Sequence, residues 1–561
     1  MLGMHVADVV VIGFYFAALT AIGLMTGRAV KSTGDFFMGG RRFGRVLMIG
    51  HAMGTGTHTD QPVTVAGASY SIGLAGIWYQ WIWMFSTPFF WLLAPIYRRL
   101  RYITTGDFFE RRYGPGLGAA YAIMGLIYFT LNCGLMLKGT ATTIDAVTGG
   151  AIPSVPAVLI MTVLFVTYSL VGGLVAAVIT DFIQGVFILV LSFLLIPFAL
   201  NAAGGIAAVH DGLDAEMFSF VAPVEVTLFF VTMAVINGLI SIVVQPHHMA
   251  IGGAGKSEAA GRWGWTYGNF LKRLMTLGWA FTGVFAAFLF PGLADGDREM
   301  AFGIAVQNLL PAGLVGLMIA SMAAAVMSSC DSFMVGGSAL FTRNFYRRYL
   351  GRERSEAHYL KVARVSSLFV VLGGLVFALL LPSVVDGVTI IWKFTALFGV
   401  AFWVALFWRG ANRWGVWASL IAMSTCILVT EWLDWSLPAQ IALYLPAGFL
   451  AMTLVSFLTP RESAERLRQF YGLLRTPVGE EWRLKEQNIE IVEEGKDIEQ
   501  TERDAVPLTE RGHSLALVDL GRFPSAFTWA RYRIDLQGFL IAWVVVASII
   551  ALGFLSSRIG A

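Results

Sequence analysis

The chain has 561 residues, of which 57% are hydrophobic and 13% charged, against roughly 25% charged residues in an average globular protein. That balance excludes a string of soluble domains, and a net charge of +3 is too small to argue for a nucleic-acid partner. The composition is that of a protein whose solvent is the lipid bilayer.

Apolar runs of about 20 residues recur at 6–27, 46–71, 74–98, 116–144, 153–172, 174–200, 225–250, 264–291, 311–340, 358–382, 386–408, 413–433, 438–458 and 535–556. They predict an all-α integral membrane fold of about fourteen transmembrane helices. The first run has no lysine or arginine ahead of it and is too long for a signal-peptide core, so it reads as a retained span. Arg28, Lys31, Arg41, Arg42 and Arg45 follow it, and the positive-inside rule then puts that loop in the cytoplasm and Met1 outside. Alternation sends the basic stretches RRLRYITTGDFFERRYG, GAGKSEAAGRW, FTRNFYRRYLGRERSEAHYLKVAR and RGANRWG inside. The acid-bearing loops Asp211 to Glu216 and Asp295 to Glu299 fall outside. One misplaced span would scramble this separation, so its consistency supports the count and puts the C-terminus outside as well.

Two spans carry interruptions. The second, from Met48 to Gly73, holds His51, His58, Asp60, Pro62 and glycines alternating with threonines from Gly54 to Thr59. Ionisable groups at bilayer depth cost several kcal/mol unless they face a cavity or a partner, and the glycines let the helix unwind and free its carbonyls. The seventh span carries Asn237-Gly238 in its middle and Gln245-Pro246-His247-His248 near its cytoplasmic end. Asn-Gly alone also reads as a tolerated kink. Five spans separate the two starting points, which points to two five-helix halves of inverted topology sharing a site at mid-depth. The predicted organisation is an extra N-terminal helix and loop over 1–44, repeats over 45–200 and 201–409, and two further spans over 410–458. A charged cytoplasmic segment over 459–533 and a last span over 534–561 follow. Alternating charges with few apolar positions make 459–533 read as a solvated linker with one or two short helices.

On the ninth span Ala325, Ser328 and Ser329 fall at i, i+3 and i+4, so a carbonyl and two hydroxyls share one helical face, which Ser332 extends by a turn. Facing the loosened Gly54 to Thr57 backbone, that face completes a cage of oxygens suited to sodium. Serines in membrane helices also bond back to their own carbonyls. Asp181 is a lone carboxylate within a span and demands a cation, a proton or a hydrogen-bonding partner. Cys133, Cys330 and Cys426 lie far apart inside spans and suggest neither disulfides nor a thiolate metal site. His247 and His248 point to different helix faces, which argues against a metal.

Over residues 5–460 the chain resembles the sodium:solute symporter family, which includes sodium-coupled sugar, sialic acid, proline and iodide transporters. DFFMGGRR, GASYSIGLAG, TTGDFFERRYG, YSLVGGLVAAVITDFIQ and SSCDSF followed by SALFTRNFYRR carry the likeness, in that order. The resemblance implies a LeuT-like 5+5 inverted repeat, each half opening on a discontinuous helix, with one extra helix before it and more after it. It also implies a sodium site on the carbonyls of Gly54, Thr57 and Ala325 and the hydroxyls of Ser328 and Ser329. The TDxxQ motif puts Asp181 and Gln184 at matching positions. In sialic-acid-type members that carboxylate joins serines at a further sodium site, here Asp181 with Ser332.

The solute positions depart from the sugar transporters. Lys272 and Gln61 match, but Gln80 stands where those members have a glutamate, Trp83 where they have a serine, Trp392 where they have a glutamine and Gly56 where an asparagine often sits. The candidate solute residues are His51, His58, Asp60, Gln61, Gln80, Trp83, Lys272 and Trp392, with Lys393 nearby. Lysine and histidine neutralise a carboxylate and tryptophan covers an apolar part, which favours a small organic anion or zwitterion. Each also has a structural reading: the histidines as caps on unwound backbone, Lys272 as a partner of Asp60, the aromatics as packing. The expectation is a sodium-coupled symporter of a small polar solute, set in the cell (inner) membrane, with no catalytic apparatus. Proton coupling through the buried acids and histidines, or a solute sensor signalling through 459–533, are the alternatives.

Overall fold

The computed structural model describes residues 4–27, 33–222, 224–294, 297–491, 514–520 and 528–560. Arg28, Lys31, Asp295 and much of the charged segment after 491 lie outside the described residues. The secondary structure is helical apart from two isolated bridges, Phe43 to Gly255 and Ala222 to Val226. The helices used below are α1 (Val6–Gly27), α2 (Arg45–Gly56), α3 (Asp60–Ile72), α4 (Thr87–Leu100), α5 (Thr105–Tyr113), α6 (Pro115–Val147), α7 (Ser154–Ala203), α8 (Leu228–Ile242) and α9 (His248–Gly253). They continue with α10 (Glu258–Leu289), α11 (Ala301–Leu309), α12 (Leu314–Ala339), α13 (Glu356–Leu380), α14 (Val384–Phe407), α15 (Arg413–Trp432), α16 (Leu437–Leu458), α17 (Ala464–Arg475) and α18 (Trp529–Ser556).

Eight helices among the described residues are long and apolar enough to cross a bilayer: α6, the later part of α7, α12 to α16 and α18. Of the other predicted spans, that over 6–27 is one apolar helix of 22 residues, that over 264–291 falls on α10, and those over 46–71, 74–98 and 225–250 are divided among shorter helices. The spans predicted over 153–172 and 174–200 are a single helix of 50 residues. At 1.5 Å per residue it is about 75 Å long. The sequence between them offers only Gly172 and Gly173 as a breaker, and a helical glycine costs about 1 kcal/mol, too little to end a helix without a proline or a cap.

Helix α2 sits in a slot between α7 and α10 that only glycine permits. A Cβ on Gly50 would stand 2.8 Å from the Cα of Phe182, and one on Gly54 would stand 2.7 Å from the Asp181 carbonyl. From the other side, Cβ atoms on Gly264 and Gly268 would press within 2.5 Å of Met48 and 2.7 Å of Ile49. Small residues on both faces let backbones approach closely where lipid supplies no hydrophobic drive.

The stretch after α16 is no solvated linker as far as Ile491. Phe470, Leu473 and Leu474 form a buried stripe on α17 at i, i+3 and i+4, and Phe470 stands edge-on to Phe108 of α5 at 5.2 Å. Tyr471 donates to the Ala405 carbonyl at 2.7 Å. Beyond it, Glu481 pairs with Arg101 at the end of α4, and Glu258 at the start of α10 accepts from Arg99 at 2.8 Å and from the Val478 amide at 3.2 Å. The segment straps together the ends of α4, α5, α10 and α14.

Candidate ion and solute site

The first interruption lies between α2 and α3, where Thr57 turns to extended backbone with φ −110° and ψ 110°. Four carbonyls of the last turn lose their helical partners there, and each finds another. Met53 O accepts from Thr57 Oγ1 at 2.7 Å, and Gly54 O from the Thr57 amide at 3.1 Å. Thr55 O accepts from Ser329 Oγ at 3.2 Å and lies 3.0 Å from His58 Nε2, while Gly56 O accepts from Gln61 Nε2 at 3.1 Å.

The second interruption separates α8 from α9 at Val243 to His247, not at Asn237-Gly238. Pro246 lacks an N–H and so removes one helical bond at the break, although α4, α7 and α16 each continue through a proline, at Pro95, Pro197 and Pro446. Asn237 stays helical, its amide donating to Trp392 O at 3.1 Å and accepting from the Tyr444 hydroxyl at 2.8 Å. The freed carbonyls are again met individually: Ile242 O lies 2.7 Å from His248 Nδ1, Val243 O accepts from Tyr97 and Val244 O accepts from Tyr121 at 2.6 Å. His248 is thus a backbone cap.

The serine face of α12 meets the first break. Ser328 Oγ lies 3.1 Å from Gly54 O and 3.2 Å from Ala325 O. Neighbouring oxygens around a hard cation held at about 2.4 Å stand roughly 3.3 Å apart, so these three fit one edge of a coordination shell. Ser329 points at Thr55 O instead, one carbonyl along. Thr57 shares with Ala325 the lining of a small cavity beside them.

Asp181 and Ser332 meet at a neighbouring point, but with company. Asp181 Oδ2 lies 2.7 Å from His51 Nδ1 and accepts from Thr55 Oγ1 at 2.8 Å, and Thr55 Oγ1 lies 3.1 Å from Ser332 Oγ. His51, Asp181 and Ser328 have no solvent exposure. His51 therefore faces α7 and does not line the solute cavity, because His51 and Thr55 sit one turn apart on the α2 face packed against Asp181.

Seven predicted solute residues line one central cavity of about 70 Å3: His58, Asp60, Gln61, Gln80, Trp83, Lys272 and Trp392. Lys393 is not among them; it pairs with Glu431 of α15. Three acceptors of the cavity residues, Asp60 Oδ1, Gln61 Oε1 and Gln80 Oε1, are buried without a hydrogen bond. The Lys272 side chain is 7% exposed and makes no hydrogen bond or ion pair among the described residues. Trp83 and Trp392 meet edge to face at 6.3 Å, forming an apolar wall. Asn132, Tyr128 and Asn269 also line the cavity. Their signal was present in the sequence: Tyr128 and Asn132 are four apart in an apolar span, and Asn269 is three before Lys272.

The profile of the sodium:solute symporter family matches residues 36–422. The osmoregulated proline transporter OpuE of Bacillus subtilis is 26% identical over 494 residues, covering 83% of this chain and 98% of that protein. A sodium/glucose cotransporter of Vibrio parahaemolyticus is 23% identical over 486 residues, covering 78% and 87%. Among solved structures, a substrate-bound, outward-open Na+-coupled sialic acid symporter superposes with a TM-score of 0.70 at 16% identity, over 82% of this chain and 99% of that one. At that identity the likeness concerns fold, and with the two broken helices it makes the architecture LeuT-like. The chain belongs to the sodium:solute symporter family, and is a multi-pass membrane transporter rather than an enzyme.

Proposed function

We propose that this protein imports a small zwitterionic or anionic organic solute with sodium by alternating access, in the cell (inner) membrane. The observation that carries the reading is the junction at the first break. The oxygens of Gly54, Ala325 and Ser328 converge on one side of it, and the solute cavity opens on the other at Gly56, Asp60 and Gln61. Sodium is cargo here, bound by Gly54, Thr57, Ala325, Ser328 and Ser329. Its binding braces α2 against α12 and so fixes the backbone that presents Gly56 and Gln61 to the solute. Coupling requires that the ion bind one conformer better than the other. A site assembled from two separate helices meets that requirement, because its oxygens part when the helices do.

The cavity's chemistry supports the solute class. Lys272, which faces the charge of Asp60 without a hydrogen bond to it, offers an ammonium to a carboxylate. Asp60 Oδ1, Gln61 Oε1 and Gln80 Oε1 offer acceptors to ammonium or imino hydrogens. The tryptophan wall covers an apolar ring or chain. Relatives that carry proline in their names suit this set better than those that carry glucose.

The test is solute uptake into proteoliposomes by wild type and by Ser328→Ala with Ser329→Ala. A hydrogen bond or dipole contact to a charged group contributes about 1.5–3 kcal/mol, so the double variant should need at least about tenfold more sodium. Unchanged sodium dependence would rule out the site, and uptake that follows a pH step while ignoring sodium would favour proton coupling.

A further inference from the structure

Resting on the sodium reading above, we infer that His51 occupies the place of a second coupling ion, so that one sodium, not two, binds per molecule. The Oδ2 side of the cluster is filled without a cation. Asp181 Oδ2 lies 2.7 Å from His51 Nδ1 and accepts from Thr55 Oγ1 at 2.8 Å, with Ser332 Oγ 3.1 Å behind Thr55. At 2.7 Å a ring nitrogen and a carboxylate oxygen must have a hydrogen between them, since otherwise two lone pairs would face each other. That N–H presents its positive end to Oδ2 whether or not the ring carries a charge, and it stands where an alkali ion would stand.

The remaining donor set is too poor for a sodium. Thr55 spends its single proton on Asp181, so Ser332 turns its own proton to Thr55. Asp181 Oδ1 and His51 Nε2 are buried without a partner, but one free carboxylate oxygen beside a ring nitrogen falls short of the five oxygens assigned to the site at Gly54 and Ser328. Imidazole nitrogen suits transition metals, not ions of this kind. There is also no slack to admit a larger shell. The α2 backbone at Gly54 lies so close to α7 that a Cβ there would stand 2.7 Å from the Asp181 carbonyl.

The consequence is a specificity role for His51 that a merely structural residue would not have: removing the ring should create an ion site. The test uses radiolabelled sodium alone, titrated onto the purified full-length protein without solute. Wild type should saturate at one sodium per molecule. His51→Ser, which vacates the ring and leaves a hydroxyl facing the emptied space, should bind two, and His51→Ser with Asp181→Asn should return to one. Two sodium ions in wild type, or a single one in His51→Ser that remains monodisperse with wild-type tryptophan fluorescence, would overturn the inference. No sodium in wild type would overturn the Gly54 and Ser328 site itself, a different failure. If the variants do not fold, the wild-type count alone decides.

Discussion

A buried ammonium without a partner is expensive at bilayer depth, and Lys272 has neither a hydrogen bond nor an ion pair among the described residues. Its persistence is explained if the solute supplies the missing anion. Lys272→Met should then separate stability from binding. The variant should melt no lower than wild type, since a desolvated charge has been replaced by a flexible apolar chain of similar length. The solute that stabilises wild type should bind it at least about 30-fold more weakly, from the 2–5 kcal/mol typical of truncating one side of a buried charge pair. Thermal shift with and without solute reads both. An equal solute-induced shift in the variant would remove Lys272 from the site. Much of this was legible in the residue types: polar and ionisable side chains at bilayer depth, read against the apolar background, converge on one cavity. His51 faces Asp181 and not the cavity, and helical phase accounts for it. The spacing of His51 to Thr55 already put both on one face, and Gly50 and Gly54, four apart, already marked that face as the one in closest contact.

At the scale of elements, the strap after α16 is the feature that composition concealed. Its high charge reads as solvated, yet the apolar spacing of Phe470, Leu473 and Leu474 is that of a docking face. Arg101 lies at 1% exposure in a left-handed backbone turn at φ 56° and is paired with Glu481. Glu481→Gln leaves that guanidinium buried without a counter-charge, which costs about 3–5 kcal/mol of docking. Trypsin should then cleave within residues 461–485 under conditions where wild type resists. Acid should do the same reversibly. Burial pushes the carboxyls of Glu481 and Glu258 up, but Arg101 and Arg99 beside them outweigh it and hold both below the ordinary value of 4.5. A carboxylate depressed in the folded state contributes stability that is complete above its ordinary value and lost as pH falls through the lowered one. Protease resistance of the strap should therefore be constant from neutral pH down to about 4.5 and fall below it. Release at higher pH would mean that these pairs do not hold it. The proline-broken turn at Val243 to His247 shows the same limit of sequence reading. Asn-Gly and Gln-Pro both read as breakers, and the chain breaks at Gln-Pro, where the freed carbonyls of Ile242, Val243 and Val244 find partners in His248, Tyr97 and Tyr121.

For the molecule as a whole, the ion oxygens and the solute cavity share a single structural element, the three-residue break between α2 and α3. The proposed sodium ligands and the residues lining the central cavity alternate around it: Gly54 and Thr57 on one side, Gly56, Asp60 and Gln61 on the other. Gln61 ties the start of α3 back to the end of α2 across the break, donating to Gly56 O while its Oε1 makes no hydrogen bond. Ordering this backbone for one ligand therefore orders it for the other, and linkage requires the benefit to be reciprocal. The predicted coupling is about 1–3 kcal/mol, or 5- to 150-fold, and it must appear as the same factor in two titrations. Sodium should tighten the solute, measured against choline by calorimetry, by as much as saturating solute tightens sodium. Gln61→Ala should reduce that factor toward one while leaving the sodium affinity of the solute-free protein within about twofold, because the carbonyls of Gly54 and Ala325 are untouched. Unequal factors in wild type would mean that a second ion participates. Equal factors unaffected by Gln61→Ala would mean that coupling runs through the α2 contacts with α7 and α12, and not through the break.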